Sequence, residues 1–158
     1  MLFNPNSPDA SSHLTDIEAA GQSLGLDLVI IKVADKAGYE NAFALINEQQ
    51  IRALLVAADP LFLTADIAPL ANRFKVAALY GVRSPAVQGG LMSYGPNFTD
   101  VYRQLGVYTG RVLKGEKPSD LPVWQTVRFE LVIDLKVAKT IGLTVPPALL
   151  AGADEVIE

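Results

Sequence analysis

The amino-acid sequence predicts an α/β fold with a doubly wound parallel sheet. The chain has 158 residues, of which 50% are apolar and 19% are charged, so it is long enough and apolar enough to bury a core. Over the first 80 residues, short apolar runs alternate with segments of helical periodicity. Residues 53–58 are apolar throughout, which is typical of a strand covered by helices on both faces. This alternation of strands and helices favours a parallel sheet.

The elements of the first half follow in order along the chain. Residues 1–3 are predicted as the end of a buried strand, followed by a loop rich in turn-forming residues. Residues 10–24 carry apolar side chains at three- and four-residue spacing, and Gly25 supplies a helix stop. Dense β-branched residues predict a strand at 26–31. The same criteria predict a helix at 39–50, strands at 53–58 and 76–80, and a helix at 61–74 between those strands.

The regular alternation stops after residue 80. Residues 81–95 contain four glycines and one proline, and we expect no element there longer than a few residues. A long helix is predicted at 97–114, where Gly106 and Gly110 each cost about 1 kcal/mol relative to alanine and so imply close packing on their side. The remaining predictions are a linker at 117–122, a strand at 129–135, a short helix at 136–141 and a final amphipathic turn from residue 145.

Composition excludes several classes of function. The net charge of −4 argues against nucleic-acid binding, which needs clustered Lys and Arg. The chain has no cysteine for disulfides or thiolate metal sites, and its single histidine, His13, is expected on the surface. No apolar run approaches the roughly 18 residues of a membrane span. The motifs of dinucleotide, P-loop, serine-hydrolase and zinc-protease sites are absent, so we expect no catalysis, metal or cofactor.

Loops at the carboxyl ends of the predicted strands are the candidate binding sites, because ligands of parallel α/β sheets bind there. Asn4, Asn6 and Ser7 offer amides and a hydroxyl beside a helix start, although N-capping alone explains them equally well. Asp59 follows a buried strand, where its carboxylate can bind a ligand ammonium or hydroxyl group or cap the next helix; we prefer the ligand role. Residues 80–83 are interpreted as a plain loop.

Two further interpretations concern single residues. Tyr94 and Ser93, before the long helix, can present an aromatic wall and hydroxyl groups, and Asn97 is predicted to be the N-cap of that helix. An aspartate such as Asp59 after the third strand is also where a response-regulator receiver carries its phosphoacceptor. A receiver needs an acidic pair after its first strand, and Asn4 stands there instead, which weakens this alternative.

Several segments in combination resemble one known family. They are Leu2-Phe3-Asn4-Pro5-Asn6, residues 54–62, Gly89-Gly90-Leu91-Met92-Ser93-Tyr94-Gly95, residues 112–123, residues 129–136, residues 143–150 and residues 153–158. This pattern resembles the ABC transporter substrate-binding proteins of the TrpX-like family. The resemblance covers essentially the whole chain, and it matches the C-terminal half of a full member.

The resemblance implies a type I periplasmic-binding-protein fold, in which two α/β lobes joined by three crossovers close on a ligand. Residues 1–80 would form the body of the C-terminal lobe. Residues 81–122 would supply a hinge crossover and a long helix that packs on the N-terminal lobe, and residues 123–158 would return as a terminal segment. The implied function is the non-enzymatic solute-binding component of an ABC importer, with a small polar ligand such as an amino acid and an ABC permease as partner.

By resemblance, Asn4, Asn6, Ser7 and Asp59 would face the cleft between the lobes, with Tyr94 near the hinge. The full-length parent would be periplasmic, whereas this sequence shows no signal peptide and would represent a fragment. The alternative is a truncated domain that persists alone without a transport function. Its long helix would then expose an apolar stripe that a second copy could cover, forming a homodimer.

Overall fold

The computed structural model describes residues 1–64, 66–126 and 128–158. It contains the strands β1 (Leu2–Phe3), β2 (Ile31–Lys32), β3 (Ala53–Val56), β4 (Ala77–Tyr80), β5 (Met92–Pro96), β6 (Phe129–Asp134) and β7 (Glu155–Ile157). The helices are α1 (Ala10–Ser23), α2 (Tyr39–Glu48), α3 (Ile67–Arg73), α4 (Arg83–Val87), α5 (Phe98–Leu113), α6 (Leu135–Ile141) and α7 (Pro147–Ala151). Short 3₁₀ turns lie at Lys36–Gly38 and Pro118–Asp120.

The strands form one sheet in the order β2-β1-β3-β4-β5-β6-β7. Neighbouring strands are parallel except for the antiparallel pair β5 and β6. The predicted α/β class with a largely parallel sheet is therefore confirmed. Because β1, β3, β4 and β5 are adjacent and parallel, their carboxyl ends meet at one edge of the sheet, which we call the carboxyl edge.

The core lies on the sheet in two clusters. Leu2 pairs with Val56, and Val56 with Tyr80, so these side chains share one face of the sheet. They belong to the larger cluster, which also contains apolar side chains of α2 and α3. These are Tyr39, Ala42, Phe43, Ile46, Ile67, Ala68 and Ala71. The second cluster, towards β6 and α6, consists of Leu91, Ile133, Val137, Ala138 and Val145.

Several helix boundaries match the sequence signals. Gly25, just after α1, has a φ of +64°, the left-handed geometry that favours glycine beyond a helix end. The side chain of Asn97 accepts a hydrogen bond from the Asp100 backbone N–H at 3.1 Å, so the N-cap predicted for the long helix is confirmed. Helix α3 begins at Ile67 rather than residue 61. Pro69 therefore falls in its first turn, where backbone N–H groups have no intrahelical acceptor, so proline costs the helix no hydrogen bond.

The structure corrects three predictions of local structure. The strand expected at 26–31 pairs only at its end, where the N–H groups of Ile31 and Val33 donate to Met1 and Phe3. Residues 81–95 were expected to contain no element longer than a few residues, whereas α4 lies within them and the five-residue strand β5 begins there and pairs on both sides. The terminal strand β7 was also missed.

The packing expected around Gly106 and Gly110 is not found in the part of the chain that the structure describes. A Cβ atom built at either glycine meets nothing within 4 Å there. The division of the chain at residues 80 and 122 stays a prediction, and strands from all three proposed segments share the one sheet. Within the described residues, none of the helices combines the length and hydropathy that a bilayer crossing requires.

Candidate functional site

Asn4 and Asp59 are brought together at the carboxyl edge, although they are 55 positions apart in the chain. The Asn4 amide nitrogen donates to both carboxylate oxygens of Asp59, at 3.1 and 3.2 Å. The backbone N–H of Leu61 also donates to Asp59, at 2.8 Å. Because β1 and β3 are neighbours in the sheet, the loops that follow them lie side by side and this pair joins them. We call it the Asn4–Asp59 clasp.

The clasp changes the chemical interpretation of Asp59. Its side chain is buried, with 8% of the residue exposed, and both carboxylate oxygens already accept hydrogen bonds. A buried carboxylate requires such partners, since an unpaired one is costly to remove from water. Asp59 therefore positions the first loop and the turn at Leu61, and a ligand ammonium group would have to share oxygens that are already bonded.

The rest of the first loop is held by Asn4. Its side-chain oxygen accepts from the Asn6 backbone N–H at 2.9 Å, and its backbone carbonyl accepts from the Ser7 N–H at 3.3 Å. The Asn6 side chain is exposed and Ser7 is half-buried. Asx turns of this kind fix a loop just after a strand. Asn4, Asn6, Ser7 and Asp59 thus belong to one local structure.

Tyr94 lies elsewhere on the sheet. It is on β5, separated from β1 by β3 and β4, which places it about 14 Å across the sheet from the clasp at the usual strand spacing. The residue is 56% exposed, and its ring stacks on Phe129 with centroids 5.7 Å apart. Ser93 faces the opposite side of the strand and is fully buried. Tyr94 therefore presents an exposed aromatic ring whose role in binding stays a prediction, and the Ser93 hydroxyl is not accessible beside it.

An open groove of about 770 Å³ lies on the same edge, between α4 and α5. Its lining residues follow β3, β4 and β5 or begin β6, and they are Leu63, Val82, Arg83, Ser84, Val87, Phe98, Thr99, Tyr102 and Glu130. Its size is within the usual range of small-molecule sites, and its lining combines apolar side chains with a few polar groups, as such sites do.

The charged groups of the groove are already oriented by partners. The Arg83 guanidinium lies 2.6 Å from a carboxylate oxygen of Glu155 on β7. Glu130 accepts a hydrogen bond from the Asn97 amide at 3.0 Å. The rings of Phe98 and Tyr102, one helical turn apart, have centroids separated by 6.2 Å. The groove therefore presents one cation, one carboxylate and an aromatic pair along a single depression.

Sequence reasoning missed this groove because it missed β5. Residues 80–83 were interpreted as a plain loop, yet Arg83 both begins α4 and lines the groove. The overlooked signal was Gly95. A Cβ atom there would strike the carbonyl oxygen of Gly81, so the two backbones pass in contact at the carboxyl edge. That approach places the start of α5 beside the start of α4.

A family model described as ABC transporter substrate binding protein matches residues 1–157. The chain belongs to this family. The resemblance found in the sequence is thereby confirmed. A search of curated proteins found no match.

Solved structures of three bacterial proteins share the fold of this family member. A conserved domain protein from Vibrio cholerae matches with a TM-score of 0.87 and 23% identity, covering 98% of this chain and 53% of that one. The ABC domain in complex with L-Trp from Streptococcus pneumoniae matches with a TM-score of 0.85 and 22% identity, covering 99% and 55%. CD0873, a substrate-binding protein with adhesive properties from Clostridium difficile, matches with a TM-score of 0.72 and 17% identity, covering 99% and 52%.

These comparisons support the fold and define its extent. The family member described here spans about half the length of each solved chain that it matches. Identities below 25% establish shared architecture and do not transfer ligand contacts. The roles of Asn4, Asn6, Ser7, Asp59 and Tyr94 therefore remain predictions.

Proposed function

We propose that this chain forms one wall of the ligand cleft of a solute-binding protein that serves an ABC importer. The observation that carries the proposal is the carboxyl edge, where the loop held by the Asn4–Asp59 clasp and the open α4–α5 groove lie on one edge of the sheet. Ligands of parallel α/β sheets bind at this edge. In the whole protein, a second lobe would close over it and enclose the solute.

The chemistry of the edge suits a small zwitterion such as an amino acid. Arg83 can contribute positive charge towards a carboxylate, and Glu130 negative charge towards an ammonium group. Phe98 and Tyr102 offer aromatic surface for a side chain. The Streptococcus pneumoniae structure with L-Trp makes tryptophan the first ligand to test.

The predicted site residues divide into two roles within this proposal. Asn6, Ser7 and Tyr94 face the ligand directly, since their side chains are exposed or half-buried at or near the edge. Asn4 and Asp59 hold the loop that presents Asn6 and Ser7. Removing Asp59 would therefore weaken binding through loop disorder, whereas removing Arg83 would remove a direct contact.

The biological setting follows from family membership and is part of the proposal. Substrate-binding proteins of ABC transporters deliver their ligand to a membrane permease, which would be the partner of the full-length protein. A periplasmic or extracellular location fits that role. Binding rather than catalysis is the proposed activity, and it calls for no cofactor.

Titration of ¹⁵N-labelled chain with L-tryptophan, followed by NMR, tests the ligand wall. One wall alone should bind weakly, with a Kd of about 1 mM, equivalent to a binding free energy of about −4 kcal/mol. We expect amide shifts confined to residues 4–7, 59–63 and 82–102. Arg83→Gln should reduce these shifts, and Arg52→Gln, an exposed arginine remote from the groove lining, is the matched control.

A panel of other amino acids and small carboxylates extends the same experiment to ligand class. If another amino acid shifts the same amide signals and tryptophan does not, the proposed binding surface stands and the ligand is that amino acid. If Arg83→Gln and Arg52→Gln change the amide shifts equally, the groove is not part of the ligand site. No shift with any member of the panel would refute the ligand wall.

A further inference from the structure

Asn97 joins the two chain segments that border the α4–α5 groove on its β6 side. Its backbone N–H donates to the Arg128 carbonyl at 3.0 Å, which extends the antiparallel pairing of β5 and β6 by one residue. Its side-chain amide donates to the Glu130 carboxylate at 3.0 Å, and its side-chain oxygen caps α5 by accepting from the Asp100 N–H at 3.1 Å. One half-buried side chain therefore contacts both the start of β6 and the start of α5.

The groove takes its carboxylate and its aromatic pair from these two starts. Glu130 is the second residue of β6, whereas Phe98 begins α5 and Tyr102 follows one turn later. Because none of the α5 residues is buried in the described parts of the chain, core packing does not place this helix. The contacts at its N-terminus then set how it leaves the sheet, and Asn97 supplies the cap there.

The two charged groups of the groove differ in how their charge is balanced. Arg83 is paired with the carboxylate of Glu155, whereas Glu130 forms an ion pair with no cation among the described residues. The hydrogen bond that Glu130 accepts comes from the uncharged Asn97 amide and occupies one carboxylate oxygen. Glu130 is half-buried, where a carboxylate attracts a cation more strongly than it does in open water. Its second oxygen can therefore bind a ligand ammonium group.

We propose that Asn97 is a positioning residue that makes the groove selective for ligands with an ammonium group. The inference rests on the proposed solute binding, and it adds which ligand group the site selects and which side chain enforces that selection. Asn97 acts through Glu130, because its amide holds the carboxylate in one orientation before the ligand arrives. Less side-chain entropy is then lost on binding. Without the amide, the carboxylate would turn towards water, and its attraction for the ammonium group would fall with distance.

Three indole ligands separate the ammonium group from the rest of the ligand. L-Tryptophan carries an ammonium and a carboxylate group, tryptamine carries the ammonium group alone, and indole-3-propionate carries the carboxylate alone. In NMR titrations of the 158-residue chain, we expect tryptamine to bind more tightly than indole-3-propionate, because the charge of Arg83 is already balanced by Glu155.

Asn97→Ser tests the positioning role, because serine keeps a good N-cap and removes the amide that reaches Glu130. We expect it to raise the Kd of tryptophan and tryptamine by about fivefold, the factor that corresponds to one typical hydrogen bond. The Kd of indole-3-propionate should change by less than about twofold, since this ligand has no group that binds Glu130. A loss of fold would weaken all three ligands instead, and circular dichroism verifies that the variant is folded.

Asn72→Ser is the matched control. The Asn72 amide also makes one partly buried hydrogen bond, to the Gly89 carbonyl at 2.8 Å, and Asn72 does not line the groove. This variant should leave all three Kd values within about twofold of the wild type. In a chain that already carries Glu130→Gln, Asn97→Ser should have little further effect on tryptamine, because the group through which it acts is gone.

The outcomes distinguish this inference from the proposed function. If Asn97→Ser weakens all three ligands equally, or leaves tryptamine binding unchanged, Asn97 does not select the ammonium group and the inference is overturned while ligand binding stands. Wild-type chain that binds indole-3-propionate as tightly as tryptamine overturns it as well. If none of the three ligands shifts any amide signal of the wild-type chain, tryptophan-like binding by this wall fails and the inference fails with it.

Discussion

Replacing Tyr80 with phenylalanine is expected to stabilise this protein, although Tyr80 is one of its most buried residues. The residue is 1% exposed, and among the described residues its hydroxyl has no hydrogen-bond partner. Its ring is tightly packed, because a Cβ atom on Gly90 would come within 2.7 Å of the ring carbon Cε2. Tyr80→Phe removes the unpaired hydroxyl and keeps the ring.

The magnitude follows from the cost of burying a polar group without a partner. That cost is about 1–3 kcal/mol, and a small cavity left by the lost oxygen offsets part of the gain. We expect the free energy of unfolding to rise by about 1 kcal/mol. For a chain of this size, that corresponds to an increase in Tm of about 2–4 °C.

The same substitution should change the dependence of stability on alkaline pH. Burial raises the pKa of Tyr80 well above its ordinary value of 10.0, so the folded phenol stays protonated while the unfolded one ionises. The folded state then binds more protons, and stability that is fully present below pH 10 is lost as the pH rises above it. Phenylalanine cannot ionise, so Tyr80→Phe should lose less stability above pH 10.

Urea denaturation at neutral and alkaline pH measures both effects, with two other tyrosines as matched controls. Tyr39 donates its hydroxyl to the Leu61 carbonyl, so Tyr39→Phe should destabilise the fold by about 1 kcal/mol. Tyr102 is 66% exposed, and Tyr102→Phe should be nearly neutral. If Tyr80→Phe lowers the free energy of unfolding by more than about 1 kcal/mol, the Tyr80 hydroxyl has a hydrogen-bond partner and the predicted stabilisation is refuted.

Two further predictions concern the carboxyl edge and the glycines. Asp59→Ala should destabilise the fold by about 2–3 kcal/mol because the Asn4 amide and the Leu61 N–H lose their acceptor. Asp59→Asn keeps an acceptor oxygen and should retain most of the stability. Equal urea midpoints for the two variants would contradict this prediction. Gly95→Ala should cost more than about 2 kcal/mol because the new Cβ would strike the Gly81 carbonyl. Gly110→Ala, made in open space within a helix, should instead raise the free energy of unfolding by about 1 kcal/mol. A thermal melt in which Gly95→Ala is more stable than Gly110→Ala would contradict the close contact at Gly95.

The position of Asp59 at the carboxyl edge was predictable because strand ends are visible in the sequence. The apolar run at 53–58 located the end of β3, and Asp59 directly after it was identified as a site residue. The contact between Asp59 and Asn4 was not predictable, since it depends on β1 and β3 being neighbours. Strand order is a property of the packed sheet, and local patterns do not encode it.

The groove was harder to predict for a different reason. Residues 92–96 contain glycine and proline, which argue against a strand when only local propensity is considered. In the folded chain, β5 pairs with β4 on one side and β6 on the other. Tertiary pairing outweighs a propensity of about 1 kcal/mol or less per residue. Without β5, nothing in the sequence placed Arg83 near Phe98.

The sequence by itself determined the α/β class, most of the helices and the family, because apolar periodicity and local motifs are sufficient for these. It also identified the long helix as apolar along one side. The tertiary structure decided the order of the strands, the joining of Asn4 to Asp59 and the groove between α4 and α5. Those features arise from contacts between residues far apart in the chain, and the free energy that selects them exists only after the sheet has formed.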